Sequence, residues 1–130
     1  MREKILIVED DPAALRLVTF TLASAGYRVI PAVNGLDGLR KAREEAPDLL
    51  VLDLMLPGID GYEVCHRLRS APAGRERRLP ILMLTAKSQE TDRAMAEKMG
   101  VDRYLCKPAT PEEITAAVHS LISQRQERHA

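Results

Sequence analysis

The sequence predicts an α/β domain in which five parallel strands are covered by helices on both faces. Three observations predict it. Short apolar runs recur without polar alternation, as expected of strands buried on both sides. Each is followed by a segment with apolar residues at helical spacing. The two patterns alternate five times along 130 residues, which points to a parallel sheet with crossover helices.

The first strand is the run Ile5 to Val8. Asp11 is placed to cap a helix that has Pro12 at its favoured first position. In that helix Ala14, Leu17, Val18, Leu22 and Ala25 form one stripe, and Gly26 ends it. At about 100° per residue, Phe20 points away from the stripe and reads as a half-exposed ring. A weaker run, Val29 to Val33, is interrupted by Pro31 and gives the second strand. Leu36 to Glu45 is the second helix, stopped before Pro47, and Leu49 to Leu52 is the third strand. Tyr62 to Ser70 is the third helix. The basic segment Ala71 to Leu79, with Pro72 and Gly74, reads as a solvated, mobile loop. Ile81 to Leu84 is the fourth strand, Gln89 to Met99 the fourth helix closed by Gly100, and Tyr104 to Cys106 the fifth strand. Thr110-Pro111-Glu112-Glu113 is a capping box with proline at its first position. It opens a fifth helix with Ile114, Ala117, Val118, Leu121 and Ile122 on one face. The polar tail, from about residue 124 to 130, reads as a fraying helix end.

Length suits one domain over residues 1–130, and 45% hydrophobic residues suffice for a core. With aromatics at 3%, that core must be aliphatic. Lys plus Arg and Asp plus Glu are 19 each, so no general attraction to nucleic acid or an anionic membrane is expected. Cys65 and Cys106 lack metal-ligand spacing and read as free thiols in a reducing cytoplasm. The apolar run behind Met1-Arg2-Glu3-Lys4 is too short for a signal peptide, and no stretch is long enough to span a membrane. A cytoplasmic location follows as the expectation.

The chemistry collects just past the strand ends. Glu9, Asp10 and Asp11 follow the first run, Asp53 the third, Thr85 the fourth and Lys107 the fifth. In an open parallel sheet, the carboxyl ends of the strands form the ligand crevice. Alone, Glu9 to Asp11 would pass for a capping turn, Thr85 for a cap and Lys107 for a solvated strand end. Asp53 lies within the apolar stretch Leu49 to Leu56 and needs a partner or a cation. Two carboxylates about 4 Å apart repel by roughly 4 kcal/mol at an effective dielectric near 20. A divalent cation relieves this, and oxygen donors without His or Cys favour Mg2+, for which Mn2+ can substitute. A carboxylate beside such a cation can accept a phosphoryl group, with Lys107 and the Thr85 hydroxyl on its oxygens. The basic residues Arg75 to Arg78 read as loop solvation rather than a nucleic-acid patch.

Four segments also carry a family resemblance: Ile5-Leu6-Ile7-Val8-Glu9-Asp10-Asp11, Asp48 to Gly61, Pro80-Ile81-Leu82-Met83-Leu84-Thr85-Ala86, and Gly100 to Pro108. In that order and spacing the chain resembles the receiver domains of bacterial two-component response regulators over about residues 4 to 124. The resemblance implies a flavodoxin-like fold with strand order 2-1-3-4-5. It implies that Asp53 accepts phosphoryl from a sensor histidine kinase or phosphotransfer protein. Glu9, Asp10, Asp53 and the Met55 backbone carbonyl match its Mg2+ ligands, Thr85 and Lys107 its phosphate-sensing pair, and Tyr104 its switch aromatic. Met55, Ala86 and Lys87 match positions that modulate loss of the phosphoryl group. The Lys107–Pro108 bond is expected to be cis. The switched surface would comprise the fourth helix, fifth strand and fifth helix, acting on a downstream protein or output domain. The chain would be a monomer or a phosphorylation-dependent dimer, and no direct nucleic-acid or membrane binding is expected. Phe20 is a candidate contact for the kinase, and Cys106 stands where small or β-branched residues are frequent. Ala109 replaces a frequent Phe, which weakens the case for the winged-helix branch's dimer.

A receiver of this kind is a phosphoacceptor rather than an enzyme; it assists only its own phosphoryl transfer and dephosphorylation. A degenerate receiver acting without phosphorylation is the first alternative, and the full set of acceptor, metal and sensing residues argues against it. A haloacid-dehalogenase-type phosphatase would want an Asp where Met55 stands and normally a longer chain. A nucleotide-binding module lacks its glycine-rich loop. The chain is either a single-domain regulator or a domain of a longer protein.

Overall fold

The three central strands of the sheet alternate their side chains between two aliphatic cores. The computed structural model describes residues 2–72 and 74–128. Its elements are β1 (Lys4–Val8), α1 (Pro12–Ser24), β2 (Arg28–Ala32), α2 (Gly35–Glu44), β3 (Leu49–Leu52), α3 (Gly61–Arg69), α4 (Arg75–Arg78), β4 (Ile81–Thr85), α5 (Glu90–Lys98), β5 (Arg103–Cys106) and α6 (Pro111–Arg128). The strands form one sheet in the order β2-β1-β3-β4-β5, and every pair is parallel. This is the strand order and the flavodoxin-like fold expected.

Leu6, Val8, Leu50, Leu52, Ile81 and Met83 face one core, closed by Leu39 of α2, Val64 and Leu68 of α3 and Ala96 of α5. Ile5, Ile7, Leu49, Val51, Leu82 and Leu84 face the other, closed by Val18 and Leu22 of α1 and by Ile114, Val118 and Ile122 of α6. Period-two alternation with both faces apolar explains why the strands read as unbroken runs.

The helix starts follow their caps. The Asp11 carboxylate accepts from Ala14 N at 2.9 Å. Asn34 and Asp60 cap α2 and α3 in the same way, accepting from Asp37 N and Glu63 N. In the capping box of α6, Thr110 Oγ1 accepts from Glu113 N at 3.1 Å and Glu113 accepts from Thr110 N at 2.9 Å.

Three expectations are corrected. There are six helices among the described residues, because Arg75–Arg78 forms a single turn, α4, inside the segment read as a loop. Leu79, which follows it, is 1% exposed and anchors that turn in the core. The polar end, expected as the end of the last helix, is helical as far as Arg128; residues 129 and 130 lie outside the described ones. In α1 the buried face is Val18, Thr21 and Leu22, while Leu17 is 52% exposed. Ala25, placed in the stripe, is the exposed C-cap. Phe20 is 72% exposed, more open than a ring covering a neighbour.

Candidate functional site

Strand pairing brings the singled-out residues to one edge. Leu52 is opposite Val8 on β1 and Met83 on β4, and Thr85 is opposite Cys106. Continuing β1 and β3 therefore delivers Glu9 and Asp53 side by side, and continuing β5 delivers Lys107. The ladder extends past the strands: Asp53 N donates to Val8 O at 3.1 Å, Glu9 N to Ala32 O at 3.0 Å and Lys107 N to Thr85 O at 2.8 Å. The Lys107–Pro108 peptide is cis, as expected.

Glu9, Asp53 and Thr85 are buried, whereas Asp10 is exposed. Carboxylate oxygens of Glu9, Asp10 and Asp53 lie within 4.8 Å of one another. Lys107 Nζ donates to Asp53 Oδ2 at 3.0 Å and also to Glu9 Oε1. Backbone amides hold the other oxygens: Met55 N donates to Asp53 Oδ1 and Asp11 N to Glu9 Oε2, both at 3.1 Å. Burial pushes the Glu9 carboxyl above its ordinary pKa, against the opposing pull of Lys107 and the Asp11 amide. Burial disfavours the Lys107 ammonium too, but its bonds to Glu9 and Asp53 outweigh that and hold its pKa above the usual lysine value. The arrangement is a buried pair of like charges, Glu9 and Asp53, bridged by one ammonium, with the exposed Asp10 carboxylate beside it. Its donors are all hard oxygens, with no His or Cys among them, so the set fits a small divalent cation such as Mg2+.

Around this cluster the polypeptide is tied tightly. Gly61 packs onto the Asp53 backbone so closely that a Cβ would stand 2.6 Å from Asp53 O and 2.8 Å from Leu54 Cα. Thr85 Oγ1 accepts from Lys87 N at 3.4 Å, and the Tyr104 hydroxyl donates to Lys87 O at 2.6 Å. Tyr104 is 8% exposed, and burial pushes its phenol up to about 12. Met55, Ala86 and Lys87 rim the cluster and are exposed.

One participant escaped sequence reasoning. The Arg93 guanidinium lies 4.9 Å from the centroid of the Tyr104 ring and reaches Cys106 Sγ at 3.7 Å. Helix α5 buries only Ala96 among its residues, so no apolar stripe marked which of its faces meets β5.

Comparison with known proteins agrees with this geometry. The model for the response regulator receiver domain matches residues 5–119. The alkaline phosphatase synthesis transcriptional regulatory protein PhoP of Bacillus subtilis is 42% identical over 97% of this chain and 51% of its own length. The DNA-binding dual master transcriptional regulator RpaA of Synechocystis is 46% identical over 92% of this chain and 48% of its own. The chain thus spans about half the length of the curated relatives it matches. A putative response regulator from Chloroflexus aurantiacus superposes with a TM-score of 0.89 at 36% identity, covering 95% of this chain and 99% of that one. The receiver domain of a Pseudomonas aeruginosa sensor histidine kinase, with magnesium coordinated in its active-site cleft, superposes at 0.86 and 32% identity, covering 95% and 99%.

Proposed function

This chain belongs to the response regulator receiver domain family, and on that premise we propose that Asp53 is its phosphoacceptor and Lys107 and Thr85 the groups that read the acyl phosphate. The observation that carries the proposal is the Lys107 ammonium shared between Asp53 and Glu9 beside a third carboxylate, Asp10. That cluster is stable only with cations at hand, and it presents a carboxylate nucleophile where positive charge converges.

In the proposed step an Asp53 carboxylate oxygen attacks the phosphorus of a kinase or phosphotransfer phosphohistidine. The O–P bond forms as the P–N bond breaks, and the imidazole leaves with the electron pair and takes up a proton. Glu9, Asp10, Asp53 and the Met55 carbonyl would hold Mg2+, or Mn2+ in its place. When bound, the ion supplies charge neutralisation for the phosphoryl oxygens. Lys107 is released from its carboxylates to a phosphoryl oxygen, and Thr85 donates its hydroxyl to another. No general base is required, since the attacking carboxylate carries no proton.

Readout follows from the Thr85–Lys87–Tyr104 bonds. A Thr85 drawn toward the phosphate gives up its contact with Lys87 N, and Lys87 O is the acceptor that holds Tyr104. The population shift then reaches the surface of α5, β5 and α6, the helices numbered fourth and fifth from sequence. That surface would act on a cytoplasmic protein target or an attached output domain, as a monomer or phosphorylation-dependent dimer. Met55 and Lys87, bulky and long at the rim, would slow water attack on the acyl phosphate. On this reading the chain turns over no separate substrate.

Incubation with acetyl phosphate and Mg2+ followed by intact mass tests the proposal. One added phosphoryl group is expected, and none in Asp53→Ala; equal labelling of that variant would overturn the assignment.

A further inference from the structure

At the sheet edge opposite Asp53, a cavity of about 310 Å³ opens beside the amino ends of β4 and β5, and Arg69, Arg77, Arg78 and Arg125 line it. The length of β4 separates it from the acidic cluster, roughly 16 Å at about 3.3 Å per residue. Nothing in the phosphoacceptor chemistry uses these arginines.

Their roles differ. Arg69 spends all five N–H groups on the protein: Nε and Nη2 on Gly100 O, Nη1 on Arg77 O and Leu79 O, and Nη2 again on Asp102 Oδ2. It is a fixed wall with no donor left for a ligand. Arg125 donates through Nη1 to Asp48 O at 2.7 Å, and its Nε and Nη2 have no partner among the described residues. Arg77 and Arg78 are exposed. No described carboxylate lies within 4 Å of either. Among the described carboxylates, only Asp102 and Asp48 pair with these four arginines, through Arg69 and Arg125. Gln124 adds an amide at the same rim.

We propose that this cavity binds a diphosphate group, presented as inorganic pyrophosphate or on a nucleoside diphosphate, with Arg77, Arg78 and Arg125 as its ligands. Guanidinium forks match phosphate oxygens bidentately, and three arginines lining one cavity suit an anion with several charged oxygens. The volume is that of a small-molecule site; an acidic protein segment would need a far larger contact area. A membrane headgroup is disfavoured because the exposed large apolar residues, Leu17, Phe20, Val33, Leu36, Met55 and Met95, all lie on other elements or loops.

The test is titration of the 15N-labelled full chain with sodium pyrophosphate, ADP, inorganic phosphate and a poly-glutamate peptide, without divalent cations. Saturable amide shifts are expected at Arg77, Arg78, Gln124 and Arg125, with pyrophosphate about tenfold or more tighter than phosphate. Arg77→Glu with Arg78→Glu is expected to weaken pyrophosphate at least about tenfold. A dispersed 15N amide spectrum of the double variant, unchanged away from α4 and the cavity, will show that it folds whether or not Asp53 accepts phosphoryl, separating failure here from failure of the phosphoacceptor reading. ADP binding tighter than pyrophosphate identifies the nucleotide as the source, and equal affinity identifies the diphosphate alone. Shifts that never saturate, that centre on Asp53, that persist in the double variant, or that poly-glutamate reproduces as tightly would overturn the proposal.

Discussion

Lys107, at the end of β5, holds Asp53, at the end of β3, by a 3.0 Å bond from Nζ to Oδ2, and it bonds Glu9 as well. One ammonium therefore offsets two carboxylates that are 5% and 8% exposed. Removing one partner of a buried ion pair leaves the remaining charges uncompensated. Lys107→Ala is expected to lower unfolding stability by about 1–3 kcal/mol in EDTA, below the fully buried case because Lys107 keeps some water. Urea unfolding checks it, and wild-type stability in the variant would show that the pairing contributes nothing.

The same carboxylates should make stability respond to Mg2+. A cation that binds only the folded chain stabilises it by RT ln(1 + [L]/Kd), about 1.4 kcal/mol at ten times Kd. Thermal unfolding with and without Mg2+ is expected to show this rise in the wild type and little of it in Glu9→Gln or Asp53→Asn. An identical rise in both variants would place the cation elsewhere.

Gly61 is where the acceptor loop meets α3. A methyl group there would collide with backbone atoms Asp53 O and Leu54 Cα at 2.6 and 2.8 Å, and no flexible side chain can yield. Gly61→Ala is expected to cost about 1–3 kcal/mol, as overpacking does, and to slow acetyl phosphate labelling by displacing Asp53. Gly58, where a Cβ meets nothing within 4 Å, is the contrast in space, although its φ of 76° makes any side chain strained there too.

Much of this arrangement was legible because parallel strands announce themselves as apolar runs and place polar residues at their carboxyl ends. Glu9, Asp53, Thr85 and Lys107 needed only that rule to be brought together. What was illegible depended on tertiary packing. Helix α4 sits in a run of charged residues with no stripe, held by buried Leu79 and by Arg69 donating to Arg77 O and Leu79 O. In α1, Thr21 rather than Leu17 turns inward; both lie near the same helical face, and only the position of α6 decides between them. The capping asparagine and aspartate of α2 and α3 carried a readable signal, since each precedes its helix by one residue.

Cys65 and Cys106 should differ sharply in reactivity. Cys65 is fully buried, and burial pushes its thiol up to about 12, while Cys106 is only partly buried. A thiol reagent at about pH 8 is expected to modify Cys106 quickly and Cys65 only after unfolding, because the thiolate is the nucleophile. The raised Cys65 value also carries a sign. Between the ordinary thiol value near 9 and about 12, the folded chain holds a proton the unfolded chain has lost, so this group's effect on stability is neutral below that window and becomes adverse as pH rises through it. Cys65→Ala would remove that alkaline slope while adding a cavity penalty at all pH values, and urea midpoints at pH 8 and pH 10 separate the two.

Thr85 and Tyr104 are joined through Lys87, whose amide donates to Thr85 Oγ1 and whose carbonyl accepts from the Tyr104 hydroxyl. If that chain of bonds transmits phosphorylation, Thr85→Ala keeps the acceptor carboxylate intact and breaks only the first link. Labelling of Asp53 by acetyl phosphate is then expected to persist, while the shift of the Tyr104 ring resonances on phosphorylation is lost. Tyr104→Phe should behave differently: the ring stays beneath Arg93 but the bond to Lys87 O goes, at about 1 kcal/mol of stability, with labelling unchanged and partner binding altered in both states. Ring shifts on phosphorylation of Thr85→Ala equal to those of the wild type would mean the signal reaches β5 without passing through the Thr85 hydroxyl.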